Sequence, residues 1–369
     1  MSPCTYHAWR MVPAEDGPQP FRFEHFEAAL PVLGPDEALV EIAGCGVCGT
    51  DLAYFHGEVP TVVAPPLTLG HEASGRVVRG GRLEGEAVIV PTILPCRKCE
   101  LCLSGRANRC LRQKMFGGNH GPWGCFASHV VVPARELSVI PRDCPLPLER
   151  MAVVADAVST PYQAVRRAGL GPGSKVVVIG ASGGLGLYLV QWARLLGAQV
   201  VIGMARGAAR LQPLSSWLDA AVATDRRPAE TIRHDMWQAC KAAGSDPRCS
   251  WTIFEASGTM AGQELALALL TSASKLVLVG YAPGTVTHTL SKLMALDAEI
   301  VGSWGCDPRL YAEVVAHVVR HDIEILPFTE TRPMSQIADT FAELKGTRRG
   351  SRRIVLTVGP DENGVHHDH

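Results

Sequence analysis

The chain has 369 residues, of which 47% are hydrophobic and 19% charged, and its formal net charge is −1 at pH 7. This composition is typical of a globular protein with room for two domains, and the balanced charge argues against a large nucleic-acid surface. No apolar run is long enough to span a bilayer, and the first residues lack a basic region followed by an apolar core. We therefore expect no signal peptide and a cytoplasmic location.

The first 155 or so residues are rich in Gly and Pro and contain short strand-like runs, such as Ala38–Ile42 and Ala87–Val90. Short alternating strands separated by Gly and Pro predict a compact, loop-rich β domain. Loops on a rigid scaffold commonly hold functional side chains, so we expect metal ligands on the loops of this domain.

Three separated pieces of sequence contain such ligands: Cys48 follows a glycine-rich turn, His71 stands beside Glu72, and Asp156 lies where the chain leaves the β domain. A catalytic zinc ion takes three protein ligands and leaves one position for water or substrate. One thiolate and one carboxylate would together neutralise the divalent ion. The sequence thus predicts a catalytic zinc site at Cys48, His71 and Asp156.

Structural alternatives exist for each of these residues. Cys48 could be a buried thiol, His71 a core histidine, and Asp156 an aspartate that caps a helix N-terminus. Glu72 fits either a transient fourth ligand or a partner behind the ligands. Asp51 is interpreted as a residue that orients the site rather than as a ligand.

A second metal site is predicted from the pattern C-x2-C-x2-C-x7-C, formed by Cys96, Cys99, Cys102 and Cys110. Four thiolates fill all positions of a tetrahedral zinc ion, so this site should be structural. The chain has twelve cysteines, and their scatter outside these sites fits a reducing compartment better than disulfides. The others are interpreted as ordinary thiols: Cys4, Cys45, Cys125, Cys144, Cys240, Cys249 and Cys306.

From Thr160 onward, short apolar strands alternate with longer helix-compatible segments, which predicts a parallel, doubly wound sheet. The predicted strands are Lys175–Gly180, Gln199–Ile202 and Leu276–Gly280, and the predicted helix after the first of them is Gly184–Leu196. We expect three regions: residues 1–156 as the β domain, 157–300 as the nucleotide-binding domain, and 301–369 returning to the first domain. The polar tail, residues 361–369, is expected to be disordered.

A glycine-rich turn between the first strand and its helix predicts a dinucleotide site, because glycines let the backbone approach a pyrophosphate at a helix N-terminus. The candidate residues are Gly180, Ala181, Gly183, Gly184, Leu185 and Gly186. No carboxylate follows the second strand, where one would bind the ribose diol of NAD. Arg206 and Arg210 stand there instead, which favours NADP(H) over NAD(H), although both could simply be solvated.

Taken together, Cys48–Asp51, Gly70–Glu72, the four-cysteine segment and the glycine turn resemble the zinc-containing medium-chain alcohol dehydrogenases over nearly the whole chain. The resemblance implies an α/β architecture with a GroES-like catalytic β domain followed by a Rossmann domain. It also implies reversible hydride transfer between a secondary alcohol and NAD(P), a homodimer or homotetramer, and a contact of Arg353 with the cofactor pyrophosphate.

Within this family, three stretches are similar to the 6-hydroxycyclohex-1-ene-1-carbonyl-CoA dehydrogenases: Ala155–Val165, Phe126–Arg135 and Ser303–Pro308. This similarity implies a cyclic or allylic alcohol, in some form linked to CoA, as the substrate. The chain departs from that group at Met204, where the group has an acid, and its glycine turn is one residue longer.

The resemblance also implies that Thr50 hydrogen-bonds the reacting oxygen and passes its proton outward. Many relatives continue this relay with a histidine at the position of Ala53, so here the proton would leave through the ribose, water or His56. Two other functions are weighed: reduction of a conjugated C=C bond, which Cys48 and His71 argue against, and a zinc lobe that binds nucleic acid or protein, which the near-neutral charge argues against.

Overall fold

A computed structural model describes residues 5–15, 19–345 and 352–359, and the tail at 361–369 lies outside the described residues. The chain divides into two compact units: residues 1–159 with 305–369, and residues 160–304. Each unit is described below by itself.

The strands are β1 (Thr5–Pro13), β2 (Phe21–Ala29), β3 (Glu37–Gly46), β4 (Leu67–Thr68), β5 (Glu72–Arg79), β6 (Ala87–Val90), β7 (Ile93–Leu94), β8 (Lys114–Met115), β9 (His129–Pro133), β10 (Ser138–Val139), β11 (Lys175–Ile179), β12 (Val200–Ala205), β13 (Ala220–Ala223), β14 (Trp251–Glu255), β15 (Lys275–Leu278), β16 (Glu299–Gly302), β17 (Thr329–Pro333) and β18 (Arg353–Thr357). The α-helices are α1 (Gly49–Phe55), α2 (Glu100–Leu103), α3 (Ser159–Ala168), α4 (Gly186–Leu195), α5 (Ala229–Ala242), α6 (Met260–Ala268), α7 (Ser291–Leu296), α8 (Tyr311–Val319) and α9 (Ile337–Lys345).

The first unit is built around a sheet in the order β10-β6-β5-β3-β18-β17, with β9 also paired to β3. Antiparallel strands with one face on a core bury alternate side chains, and Val40, Ile42 and Val77 lie in such a core. Near the end of the chain, β18 pairs antiparallel with β3, Val355 lying opposite Gly46. The described part of the C-terminal segment thus contributes strand β18 to the sheet of the first unit.

The second unit contains one sheet of six parallel strands in the order β13-β12-β11-β14-β15-β16. The central strand β11 is buried along its whole length, as expected for a parallel strand covered on both faces. The strand order reverses beside β11, and ligands of such sheets bind at the carboxyl ends of the strands at this switch point. The predicted α/β class with a doubly wound sheet is confirmed.

Membrane spans were sought among the described residues. None of the helices there combines the length and the apolar character that crossing a bilayer requires.

Candidate active site

The three predicted catalytic ligands are brought together in the first unit by the ends of separate elements. Cys48 lies between β3 and α1, His71 immediately precedes β5, and Asp156 follows a short 3-10 helix that ends at Ala155. Cys48 and His71 are buried, whereas the Asp156 side chain keeps 13% of its surface exposed. The site is thus a pocket of buried ligands with a carboxylate at its accessible side.

The distances among the ligand atoms fit a zinc ion. Cys48 Sγ lies 3.5 Å from Asp156 Oδ2, and His71 Nε2 lies 3.8 Å from the same oxygen. Tetrahedral zinc with bonds of about 2.0–2.3 Å requires ligand atoms roughly 3.3–3.8 Å apart. A carboxylate oxygen of Glu72 completes a group whose four ligand atoms lie within 4.8 Å of one another.

Asp51 holds the ligand loops in place, as the sequence predicted for a residue behind the ligands. Its Oδ1 accepts hydrogen bonds at 3.1 Å from the Gly70 N–H and from His71 Nδ1, and its Oδ2 accepts one at 2.9 Å from the Cys48 N–H. A ligating histidine bonded through its other ring nitrogen to a carboxylate has a fixed orientation and a more basic ligand atom. Asp51 therefore aims Nε2 of His71 at the metal position.

Glu72, which is fully buried, forms an ion pair with Arg353, whose side chain is 8% exposed. Arg353 Nε donates to Glu72 Oε2 at 3.0 Å, and its Nη2 contacts the other carboxylate oxygen. The pair is bidentate, which favours a fixed carboxylate. This arrangement supports the interpretation of Glu72 as a partner behind the ligands, although its distance to them is compatible with transient ligation. The contact of Arg353 with a cofactor pyrophosphate stays a prediction.

The electrostatics of the pocket favour a cation at its centre. Burial alone would lower the pKa of His71, but Asp51 and Asp156 raise it well above its usual value. Burial likewise raises the pKa of the Cys48 thiol, and Arg353 and His71 outweigh that effect and lower it. The negative groups that favour a protonated imidazole in this site, together with the Cys48 thiolate, also favour a metal cation there.

Two candidate proton-relay residues have different surroundings. Thr50 is half-buried, and its Oγ1 lies 3.8 Å from Cys48 Sγ. His56 is the C-cap residue of α1, and its Nδ1 is 3.0 Å from the Gln19 side-chain oxygen. Thr50 therefore lies close to Cys48, and proton transfer through Thr50 or through His56 stays a prediction.

The four-cysteine segment forms a second cluster of ligand atoms, all within 4.8 Å of one another. Cys99 Sγ lies 3.5 Å from Cys102 Sγ and 3.8 Å from Cys110 Sγ, close to the about 3.8 Å edge of a tetrahedral zinc-thiolate site. The Lys98 N–H, together with the Arg112 side chain, lowers the pKa of the Cys96 thiol to about 5. Thiolates are the form that binds zinc, so this geometry fits the predicted structural metal.

In the second unit, the glycine turn has the backbone of a phosphate-binding loop. Gly180 has φ +82°, a left-handed conformation that favours glycine, and Gly183 donates a hydrogen bond to its carbonyl at 2.9 Å. A side chain on Gly186 would collide with the Gly180 carbonyl oxygen, so α4 can begin there only with glycine. Ala181 stands at the first fingerprint position; it is buried, and its backbone N–H donates to the Met204 carbonyl oxygen at 3.0 Å.

The two predicted phosphate-binding arginines follow β12, at the carboxyl end of the sheet. Arg206 is exposed, and Arg210 is half-buried with its Nε 3.4 Å from Ser182 Oγ in the glycine turn. Gly184 and Leu185 complete this turn before α4. The structure thus places Arg210 beside the turn, where a guanidinium could bind a ribose phosphate.

Comparisons with known proteins agree with this geometry. Residues 34–142 match the alcohol dehydrogenase GroES-like domain, and residues 184–320 match the zinc-binding dehydrogenase family. A probable zinc-binding alcohol dehydrogenase of Mycobacterium tuberculosis is 30% identical over 92% of this chain and 85% of its own length. The chain belongs to the zinc-binding alcohol dehydrogenases. This dehydrogenase is therefore an oxidoreductase that acts on CH–OH groups.

Two further relatives extend the comparison. L-galactonate-5-dehydrogenase of Escherichia coli is 27% identical to this dehydrogenase over 88% of the chain and 92% of its own length. A zinc-binding dehydrogenase of Sinorhizobium meliloti, solved bound to NADP, shares the fold with a TM-score of 0.82 at 24% identity, covering 96% of this chain and 99% of that one.

An ion-pair network that the sequence analysis missed fastens the four-cysteine segment of this dehydrogenase. Arg97, between two of the cysteines, donates through Nε to Glu136 at 3.0 Å and through Nη2 to its other oxygen at 2.5 Å. Arg97 Nη1 also lies 3.6 Å from Asp307, and both carboxylates are buried. A basic residue within a metal loop resembles a solvated charge, so only the fold reveals these partners.

The sequence analysis also missed a buried carboxylate beside the glycine turn. Glu255 ends β14, is fully buried, and accepts a hydrogen bond at 2.8 Å from the Ser257 N–H. Ser257 packs against Gly180, since a side chain on that glycine would meet the Ser257 backbone at 2.7 Å. Glu255 therefore holds the loop that supports the dinucleotide turn.

We expect Glu255→Gln to stabilise the dehydrogenase at high pH relative to low pH. Burial raises the pKa of Glu255, and its bond to Ser257 only partly opposes this. A raised folded pKa means that the carboxyl contributes stability at low pH and loses it as the pH rises through that value. Urea unfolding at pH 4.5 and pH 8 measures the free energy of unfolding of the variant relative to that of the native protein. This difference should be larger at pH 8, by up to about 1.4 kcal/mol for each unit by which the pKa of Glu255 differs between the folded and unfolded states.

The exposed Glu264 on α6 provides the matched control for this prediction. Glu264→Gln should change the free energy of unfolding by a similar small amount at both pH values. An equal response of the two variants would contradict the role of burial at Glu255.

Proposed function

We propose that the chain interconverts a secondary alcohol and its ketone, with Cys48, His71 and Asp156 as the ligands of a catalytic zinc ion. The observation that supports this proposal most directly is the convergence of their ligand atoms with one of Glu72 within 4.8 Å, in a group where Cys48, His71 and Glu72 are buried. When bound, zinc supplies a Lewis acid for the substrate oxygen and the nicotinamide exchanges the hydride. Thr50 is proposed to hydrogen-bond the substrate oxygen and to move its proton outward.

Metal analysis tests this proposal. The purified protein should contain two zinc ions per chain, one in the Cys48 pocket and one in the four-cysteine segment. Removal of the first ion by a chelator should abolish turnover and leave the fold intact, as followed by circular dichroism. A preparation that turns over an alcohol with only one zinc per chain would contradict the catalytic site.

The substrate that we propose is a cyclic or allylic secondary alcohol, such as 6-hydroxycyclohex-1-ene-1-carbonyl-CoA or a related compound. The similarity of three sequence stretches to that group of enzymes supports this choice. L-galactonate-5-dehydrogenase, named for a sugar acid, supplies the alternative to be screened. Initial rates on cyclic, CoA-linked and sugar-acid alcohols, each with NAD and NADP, decide between these classes.

Reduction of a conjugated C=C bond is a weaker proposal. The related quinone reductases lack the catalytic ligands, whereas Cys48, His71 and Asp156 meet in this chain. Assays with enones and NADPH belong in the same screen, and turnover of an enone by zinc-free protein would favour that reaction.

We propose NADP(H) as the preferred cofactor. Support comes from Arg206 and Arg210 at the carboxyl end of β12 and from the contact of Arg210 with Ser182 in the glycine turn. A charge-assisted hydrogen bond contributes about 1.5–3 kcal/mol, which corresponds to roughly 10- to 100-fold in affinity.

Arg210→Ala should therefore raise the Kd for NADPH by roughly 10- to 100-fold and leave the Kd for NADH nearly unchanged, as measured by cofactor fluorescence. Arg248 precedes β14 at the opposite end of the strands and forms an exposed pair with Asp246, so Arg248→Ala is the matched control. An equal increase of the Kd for NADH and for NADPH in Arg210→Ala would show that Arg210 does not bind the 2′-phosphate of NADPH.

A homodimer or homotetramer is also proposed. In the second unit, β16 is a sheet edge that pairs only with β15 among the described strands, and Leu290, Met294 and Ile300 expose apolar surface beside it. Exposed edge strands pair readily with another strand, and a second copy would cover this one. Light scattering of Ile300→Lys against the native protein measures whether this edge sets the oligomeric state.

A further inference from the structure

One backbone carbonyl beside the catalytic pocket accepts hydrogen bonds from three hydroxyl groups. The carbonyl oxygen of Ala155 accepts hydrogen bonds from Thr92 Oγ1 at 3.0 Å, from Ser159 Oγ at 2.9 Å and from the Tyr311 hydroxyl at 2.5 Å. Ser159 and Tyr311 are fully buried, and Thr92 is 5% exposed. A carbonyl oxygen has two lone pairs, so three converging donors saturate it and fix its direction.

This carbonyl belongs to the peptide that leads into Asp156. The 3-10 helix ends at Ala155, and Asp156 has φ −138° and ψ −57°, outside the regular helical and extended regions. Because Asp156 continues no helix or strand, other groups must set the direction of its side chain. The Ala155 carbonyl and the Asp156 N–H belong to the same peptide group. The hydroxyls bonded to Ala155 O therefore fix the orientation of the peptide group that precedes the Asp156 side chain.

Thr92 links this carbonyl to a second ligand. Its Oγ1 lies 2.9 Å from the carbonyl oxygen of His71 as well as 3.0 Å from that of Ala155. One hydroxyl hydrogen serves one acceptor at a time, so Tyr311 and Ser159 keep Ala155 O bonded whichever acceptor Thr92 serves. The backbones of the His71 and Asp156 ligands are thus joined through one threonine.

We propose that Tyr311, with Thr92 and Ser159, is a positioning residue that holds the Asp156 carboxylate toward Cys48 and His71 in the geometry that binds zinc. This inference rests on the proposed role of Asp156 as a ligand. Tyr311 is the first residue of α8 and belongs to the C-terminal part of the first unit. Of the three hydroxyl donors, it is the one furthest from Ala155 in the sequence.

The role predicts a selective weakening of one metal site. Loss of an outer partner of a zinc ligand lowers metal affinity by roughly 10- to 100-fold. Tyr311→Phe should therefore speed the release of one zinc per chain to a chromophoric chelator, 4-(2-pyridylazo)resorcinol, by about tenfold or more. Release from the four-cysteine site should be unchanged. In the cobalt-substituted protein, the visible absorption bands of the catalytic site should shift, since they report ligand geometry.

Tyr188 provides a matched control, because it is a fully buried tyrosine in the second unit whose hydroxyl has no hydrogen-bond partner among the described residues. Tyr188→Phe should leave both zinc release rates and the cobalt spectrum as in the native protein. Thr92→Val and Ser159→Ala remove the other two donors and should act in the same direction as Tyr311→Phe. They keep the inference testable if the tyrosine variant does not fold.

Unchanged zinc release and an unchanged cobalt spectrum in Tyr311→Phe and Thr92→Val would overturn the inference. Asp156→Asn separates this failure from failure of the proposed function. If Asp156→Asn loses one zinc while Tyr311→Phe does not, only the positioning role is wrong. If Asp156→Asn retains both ions, Asp156 is not a required ligand and the inference falls with it.

Discussion

Asp156→Asn is expected to lower turnover by more than about a hundredfold and to reduce the zinc content from two ions per chain to one. The amide keeps the shape of the side chain but removes its charge. Cys48 Sγ and His71 Nε2, 3.5 and 3.8 Å from Asp156 Oδ2, would then share the ion with a neutral group. Turnover assays and metal analysis on the same preparation measure both effects.

Asp156→Cys is the matched control, because a cysteine thiolate is also a zinc ligand and restores the negative charge. This variant should retain two zinc ions and measurable turnover. The four-cysteine site is separate from the substitution, so Asp156→Asn should keep the zinc ion of that site and a native circular dichroism spectrum. Full activity of Asp156→Asn would exclude a required carboxylate ligand.

Much of the fold could be predicted because its signals are local. The run from Lys175 through Gly186 contains a buried strand, a glycine turn and a helix start in contiguous sequence, and the structure forms these elements with β11 at Lys175–Ile179 and α4 from Gly186. The spacing of the four cysteines is equally local. Such patterns report backbone requirements that do not depend on the rest of the chain.

The catalytic site could be predicted only in part, because its supporting contacts join distant segments. Cys48 and His71 stand in recognisable short motifs, whereas Tyr311 reaches Ala155 across 156 positions of sequence. Because every residue has a backbone carbonyl, a hydrogen bond from a hydroxyl to such a carbonyl leaves no pattern in the sequence around the acceptor. The bidentate ion pair of Arg353 with Glu72 is another contact between distant segments. The resemblance indicated a role for the arginine, but its pairing with Glu72 depends on the register of β18 with β3.

The second large effect is expected from Arg97→Ala, which should destabilise the first unit by about 3 kcal/mol and lower its unfolding midpoint by roughly 6–12 °C. Removing the guanidinium leaves Glu136, 1% exposed, with the exposed Arg135 at 3.3 Å as its only ion-pair partner among the described residues, while Asp307 keeps Arg309 at 2.7 Å. A buried carboxylate left with one exposed partner in place of a bidentate one costs more than the loss of a surface pair. Differential scanning calorimetry measures the midpoint, and the chelator assay measures zinc release from the four-cysteine site.

Arg97→Lys keeps the charge but cannot form the two parallel bonds to Glu136, so its midpoint should lie between those of the native protein and Arg97→Ala. Arg106 lies exposed in the same metal loop, and Arg106→Ala should shift the midpoint by no more than about 1–2 °C. Equal shifts for Arg97→Ala and Arg106→Ala would contradict the network. Arg97 stands between Cys96 and Cys99, so its contacts with the buried carboxylates fix the backbone that joins these two cysteines. Faster zinc loss from the four cysteines in Arg97→Ala would therefore show that the buried carboxylates hold the loop in its metal-binding conformation.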